Sequence, residues 1–245
     1  MQNAKHVVVV MNGTARWADE HKCSLGDAQR QSLLVARLIV RAAVAAKVRY
    51  LTLCGASAEL PGYPTSPSSP ARPASAQPVT PIDAPDAFAA AEREPACWTG
   101  RELTHPGDDL VVTVRLGQSG RRDIATAVKL LARSVQAGRL DPDQLDEALL
   151  RTSLVTAELP DPDLIVYSGC PAGEHRLRDD LIFESAYAEF FFSDRLWPDF
   201  TAAHFLQALS DFASRQRRFG KTGEQVSAGD SIASRYVAAS SSIGS

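Results

Sequence analysis

A short apolar run at His6–Val10, rich in β-branched residues, opens directly into Met11-Asn12-Gly13-Thr14-Ala15-Arg16-Trp17 and then a helical stretch. A strand feeding a small-residue loop at a helix start is an anion site. The first N–H groups of the helix lack intrahelical partners, and the helix dipole favours negative charge there. An acid just before the glycine would hold Mg²⁺ against a bound phosphate. The residue there is Asn12, which is neutral and a poor ligand for a hard divalent cation. Other chemistries find weaker support. Gly117-Gln118-Ser119-Gly120 lacks the spacing of a nucleophile elbow, and His6, His21, His105, His175 and His204 show no HExxH or paired metal spacing.

The chain that must position this loop has 245 residues, which suits one α/β domain with a substantial core. Its formal net charge of -3 leaves no electrostatic case for a nucleic-acid partner. Cys23, Cys54, Cys97 and Cys170 are widely spaced with no CxxC, and read as reduced thiols of a cytosolic protein. The start, Met1–His6, lacks the apolar stretch of a signal peptide, and no apolar run reaches membrane-spanning length. The expectation is a cytoplasmic protein without a transmembrane segment, meeting any lipid from the aqueous side or at the membrane surface.

Periodicity places the elements. Leu33, Leu34, Val40 and Val44 fall at helical spacing with Arg30, Arg37 and Arg41 between them. Tyr50–Cys54 and Leu110–Leu116 read as strands, and Arg122–Ala137 as a helix with Ile124, Val128, Leu131 and Val135 on one stripe. A shorter helix follows at Pro142–Leu150, then buried strands at Leu164–Tyr167 and Phe190–Phe192 and a last helix at Ala202–Arg218. Strands alternating with helices predict a single α/β domain, a mostly parallel β-sheet flanked by helices. Ligands then lie at the carboxyl ends of the strands, where the Asn12 loop sits. Pro61–Pro85 holds eight of the chain's fifteen prolines, so about 61–87 reads as a flexible excursion from a domain spanning 1–220. Phe88–Glu94 reads as a remnant of a helix, and 221–245, rich in Ser, Ala and Gly, as a flexible tail.

Read along the whole chain, the sequence resembles the cis-prenyltransferases, the undecaprenyl diphosphate synthase family. Met11-Asn12-Gly13-Thr14-Ala15-Arg16-Trp17 is similar to the family's M-D-G-N-G-R-W loop. Matches follow in order at Leu51-Thr52-Leu53, Ser57 and Glu59, Gly120-Arg121, and Leu159-Pro160-Asp161-Pro162-Asp163-Leu164. They continue at Gly173-Glu174-His175-Arg176-Leu177, Ser185-Ala186-Tyr187-Ala188-Glu189-Phe190, Leu196-Trp197-Pro198-Asp199-Phe200 and Arg215-Gln216-Arg217-Arg218-Phe219-Gly220.

The resemblance implies the family fold and a diphosphate site at Gly13, Thr14, Ala15, Arg16, Arg176, Arg178, Arg218 and Gly220. It implies catalytic positions at Asn12 and Glu59, and a magnesium ligand at Glu189 that acts across a dimer. Mg²⁺ would be bound weakly because Asn12 replaces the acid. The family's further phosphate-binding Arg and nearby His align with Leu25 and Gln29; of the two arginines in its R-T-S-G-E-Q-R-L-S-N motif the first has no counterpart, Tyr167 lying nearest, and Arg176 fits the second. Arg178 stands at the serine of that motif, and no equivalent of the family's tunnel helix is visible. Arg218-Phe219-Gly220 fits the R-x-G tail that contacts substrate phosphate in the partner subunit.

With several parts of one mechanism lost together, the resemblance points first to an accessory subunit completing the active site of a cis-prenyltransferase homodimer or heterodimer. The alternative is an active, atypical prenyltransferase or terpene cyclase on a short allylic diphosphate. In both, the small-molecule partner is an isoprenoid diphosphate, isopentenyl or allylic.

Overall fold

The computed structural model describes residues 3–55, 98–105, 108–117, 119–173 and 175–215, with only the backbone at 98–105 and 108–109. Met1–Ala213 forms one compact unit; of the second, Ser214–Ser245, only residues 214–215 are described. Glu59, Cys97, Arg218 and Gly220, the Pro-rich excursion and the tail therefore lie outside the described residues, as does Phe88–Glu94.

β1 (His6–Met11) is buried at every position, as expected of a strand covered on both faces. It pairs in parallel with β2 (Tyr50–Gly55) on one side and β5 (Leu164–Tyr167) on the other. β4 (Asp108–Leu116) extends the sheet beside β2, and β6 (Glu189–Phe192) beside β5, again in parallel. β3 (Trp98–His105) adds an antiparallel edge, giving the order β3-β4-β2-β1-β5-β6. The expected mostly parallel sheet is thus present. β3 was not legible in the sequence: Trp98-Thr99-Gly100-Arg101-Glu102-Leu103-Thr104-His105 offers neither an apolar run nor a sustained alternation.

Because successive strand residues face opposite ways, β1 feeds two cores. Val7 and Val9 join Leu51, Leu53, Val112 and Val114 under α2 (Leu25–Ala45) and α5 (Ala202–Ser214). Val8 and Val10 join Cys54, Ile165, Tyr167, Cys170 and Leu181 on the other face.

α2 keeps the expected stripe at Val40, with Leu33 and Val44 packed against the core, and departs from it at Leu34. Its buried face is Ala28, Gln29, Ser32, Val35, Ala36, Ile39, Val40, Ala42 and Ala43, while Leu34 is 53% exposed. Small residues let the helix axis approach the sheet closely, so this face wins over the one carrying Leu34. α3 (Gly120–Gln136) starts two residues before the predicted helix, because Ser119 caps it through the Arg122 N–H. On its predicted stripe Val128 is exposed, and the helix is buried at Gly120, Asp123 and Ala127. The predicted Pro142–Leu150 helix is broken into a 3₁₀ turn at Pro142–Gln144 and α4 (Glu147–Ser153), since Asp141 and Asp146 each cap a separate start. Cys23, Cys54 and Cys170 are free thiols. Among the described residues no helix is long and apolar enough to cross a membrane.

His6 gives the fold a pH signature. Its ring is nearly fully buried, with Nδ1 2.6 Å from the Pro160 carbonyl and Nε2 2.9 Å from Thr52 Oγ1. A carbonyl only accepts, so Nδ1 carries the proton and neutral Nε2 takes the threonine hydroxyl. Burial holds the imidazole below its ordinary value of 6.5, against the opposing pull of the Pro160 carbonyl. With the folded pKa below the unfolded one, the unfolded chain takes up the proton first. This contribution is intact above about pH 6.5 and is lost as pH falls. Urea unfolding at pH 7.5 and 5.5 should therefore show a larger loss for wild type than for His6→Gln. Equal losses in the two proteins would refute the assignment.

Candidate functional site

The site is built where β1 and β5 end side by side. The Asn12 N–H donates to Ser168 Oγ at 3.0 Å, and that hydroxyl donates to the Val10 carbonyl at 2.9 Å. The Asn12 amide then reaches across the gap: Nδ2 donates to the Gly169 carbonyl at 3.0 Å and lies 3.4 Å from the Ser168 carbonyl. Arg16 donates to the same Gly169 carbonyl at 2.5 Å. Two glycines make the crossing possible. A Cβ on Gly169, at φ +61°, would stand 2.5 Å from the Asn12 carbonyl, and one on Gly13, at φ +105°, 2.6 Å from Leu196.

α1 (Thr14–His21) starts at Gly13 with no side-chain cap and no acid in its first turn. A helix start without a side-chain cap is of the kind that suits an anion. Ala15 and Arg16 are exposed there, whereas Thr14 is turned inward, its hydroxyl 2.9 Å from Ser32 Oγ. Trp17 is held by Nε1 donating to Asp199 at 2.8 Å, and the Trp197 N–H donates to the Asn12 carbonyl at 3.0 Å.

A long loop leaves this point after β5. The Gly169 and Cys170 N–H groups donate to the Arg195 and Ser193 carbonyls at 2.6 and 2.8 Å. Arg176 and Arg178 lie farther along it, both exposed. Tyr167 occupies the position nearest the absent arginine. Its ring stacks on Phe192 at 5.3 Å, burial pushes its phenol up to about 12, and its oxygen sits 3.4 Å from the Arg178 N–H. His175 stacks on the same Phe192 ring, at 4.7 Å. A cavity of about 390 Å³ beside the loop is lined by Cys170, His175, Phe192, Asp194, Arg195 and His204.

Behind the loop sits a buried ionic core. Arg115, at the end of β4, donates to Asp123 on the first turn of α3, and the two side chains are only 2% and 10% exposed. Burial raises the proton affinity of Asp123, and the neighbouring guanidinium opposes it. Asp180 is raised for the same reason, burial against the pull of Arg115 and Arg178. Glu184 accepts the Thr156 hydroxyl nearby.

The structure brings Asn12, Gly13 and Arg16 into one cluster with Ser168 and Gly169, and puts Arg176 and Arg178 on the loop that grows from it. Glu189 is not brought there. It opens β6 opposite Leu164, itself opposite Val7. That places it about five residues, roughly 16 Å, toward the amino end of the sheet from Asn12. Sequence reasoning missed Ser168, Gly169, Arg115 and Asp123, because none carries a motif and each acquires its role from a partner that the fold brings to it.

Magnesium finds a poor fit at the Asn12 loop. The amide nitrogen is turned to carbonyls, leaving one neutral oxygen where a hard ion prefers carboxylate. Among the described residues no three His, Cys, Asp or Glu side chains converge to hold a metal ion.

Residues 92–220 match the prenyltransferase family model described for undecaprenyl diphosphate synthase. The chain is 35% identical to the (2E,6E)-farnesyl-diphosphate-specific ditrans,polycis-undecaprenyl-diphosphate synthase of Pseudomonas syringae pv. tomato, over 92% of this chain and 94% of that one. It is 32% identical to an isoprenyl transferase of Oceanobacillus iheyensis, over 88% and 89% of the two chains. In shape it is similar to lavandulyl diphosphate synthase from Lavandula x intermedia, crystallised with dimethylallyl diphosphate. The TM-score is 0.65 at 21% identity, covering 89% of this chain and 99% of that one.

Proposed function

Because the chain belongs to the undecaprenyl diphosphate synthase family of cis-prenyltransferases, we propose that it serves isoprenoid-diphosphate metabolism as an accessory subunit. It pairs with a complete family member and contributes Arg218 and Gly220 to that partner's active site. The observation that carries this reading is the state of the first loop. The amide of Asn12 and the guanidinium of Arg16 both donate to the Gly169 carbonyl, so the groups that would meet an allylic diphosphate already close the loop on itself. Stabilising charge that develops on a leaving diphosphate takes donors and cations aimed at it. Here they are aimed at the protein, and the donor set does not suit magnesium.

The second reading is an active, atypical prenyltransferase or terpene cyclase on a short allylic diphosphate. One feature favours it: the uncapped amino end of α1, with Gly13 before it, remains suited to phosphate. In that case Arg176 and Arg178 carry the second diphosphate, and Arg16 must swing away from Gly169.

Turnover separates the two. The purified chain alone, given magnesium, isopentenyl diphosphate and dimethylallyl or farnesyl diphosphate, is expected to release no diphosphate. Co-expressed with a complete family member from the same genome, it is expected to co-purify and to raise that partner's kcat. Arg218→Ala should reduce the gain at least about tenfold, the effect of losing about 1.4 kcal/mol in the transition state. Product formed by the chain alone would sink the accessory reading in favour of the second.

A further inference from the structure

The arginines of the long loop are useful only if the loop is held, and the amino end of α3 holds it. Asp179 is the point of attachment. One carboxylate oxygen accepts the Ser119 hydroxyl, the other accepts the Arg121 N–H at 3.1 Å, and the Asp179 carbonyl accepts the Gly120 N–H at 2.7 Å. The Arg121 guanidinium stands 4.0 Å away, an exposed pair that adds little. Ser119 is at the same time the cap of α3, accepting the Arg122 N–H at 3.2 Å. The carboxylate and carbonyl of Asp179 thus satisfy two N–H groups of a helix start, and the anion sits at the positive end of the dipole.

The chain around Asp179 is committed to this contact. A Cβ on Gly120 would lie 2.8 Å from the Ile182 nitrogen, so only glycine admits the loop this close. Leu181 takes a left-handed φ of 48°, uncommon for a branched side chain, and is driven into the smaller core. Arg176 and Arg178 stand three and one residues before the clip. The Tyr167 oxygen meets the Arg178 N–H just ahead of it.

We propose that Asp179 is a positioning residue: by clipping the loop to Ser119 and Arg121 at the start of α3, it presents Arg176 and Arg178 to a diphosphate. The proposal rests on the diphosphate reading of those two arginines. It adds that their presentation depends on a side-chain acceptor at Asp179 that does not itself touch the ligand.

The test uses the full chain, inorganic pyrophosphate and isopentenyl diphosphate as probes, and isothermal titration calorimetry. Asp179→Ala is expected to weaken binding about tenfold, the scale on which lost positioning acts. Asp179→Asn keeps an oxygen acceptor and is expected to stay within about threefold of wild type, well inside one tenfold step of affinity. Ser119→Ala, which removes one donor from the other side, should fall between them. Amide exchange of the loop amides 175–180 should rise in Asp179→Ala and stay near wild type in Asp179→Asn. Arg176 and Arg178 variants should lose binding without that rise. Wild-type affinity in Asp179→Ala would overturn the inference and leave the diphosphate site standing. Failure of wild type to bind either probe would overturn the diphosphate reading and this inference with it.

Discussion

Asp123→Ala is expected to destabilise the protein by about 3–5 kcal/mol, the range for removing one partner of a buried ion pair. Arg115 has 2% of its side chain exposed, and Asp123 is its ion-pair partner on α3. Without the carboxylate, a guanidinium that cannot be deprotonated stays in a site closed to water. Asp180 still lies within reach of that guanidinium, so the cost is a charge left only partly balanced more than the lost attraction. The elevated proton affinity of Asp123 shows the same expense from the other side, since burial outweighs the pull of the guanidinium. It follows that Arg115→Met combined with Asp123→Leu should recover most of the loss, because neither charge then needs solvating. Urea denaturation of the two single variants and the double variant checks this. A double variant as unstable as Asp123→Ala would place the cost in packing instead.

Asn12→Asp, the substitution that restores the family acid, is expected to lower stability in the absence of divalent ions. Nδ2 now donates to the Gly169 carbonyl at 3.0 Å and approaches the Ser168 carbonyl at 3.4 Å. A carboxylate there donates nothing and sets negative charge against two carbonyl oxygens. Leaving such groups unsatisfied costs about 1–3 kcal/mol, or roughly 2–12 °C in melting temperature for a chain of this size. Thermal melts with and without millimolar magnesium chloride read both halves of the argument. Magnesium should raise the melting temperature of the variant and leave wild type unmoved. A variant as stable as wild type without magnesium would show that the loop is not built around an amide. The substitution is not expected to raise turnover by the chain alone, because Tyr167, Leu25 and Gln29 stand where the resemblance places an arginine, an arginine and a histidine.

Periodicity and motif order were enough for the parallel sheet, the helices that cover it and the placing of the Asn12 loop at its carboxyl edge. These depend on local propensity and on burial, and both are written into short windows of sequence. β1 is the clearest case: a β-branched run bounded by a glycine loop is buried on both faces. Single positions within a helix were less secure than the helix itself. α2 carries apolar residues on more than one face, and the sheet selected the face with the small side chains, leaving Leu34 exposed.

The sequence by itself determined the family, the strand-to-helix loop and the absence of an acid from it. Tertiary structure decided what the loop does with that absence. Asn12 meets Gly169 across 157 positions of chain and Asp123 meets Arg115 across eight. Ser119 meets Asp179 across 60. The directions of those side chains depend on which strands lie side by side and on how closely two glycines let the backbones cross. No residue type encodes such a contact alone. An amide beside glycine reads as a weakened metal ligand until a carbonyl from the neighbouring strand end lies 3.0 Å away, where it becomes a donor that closes the loop.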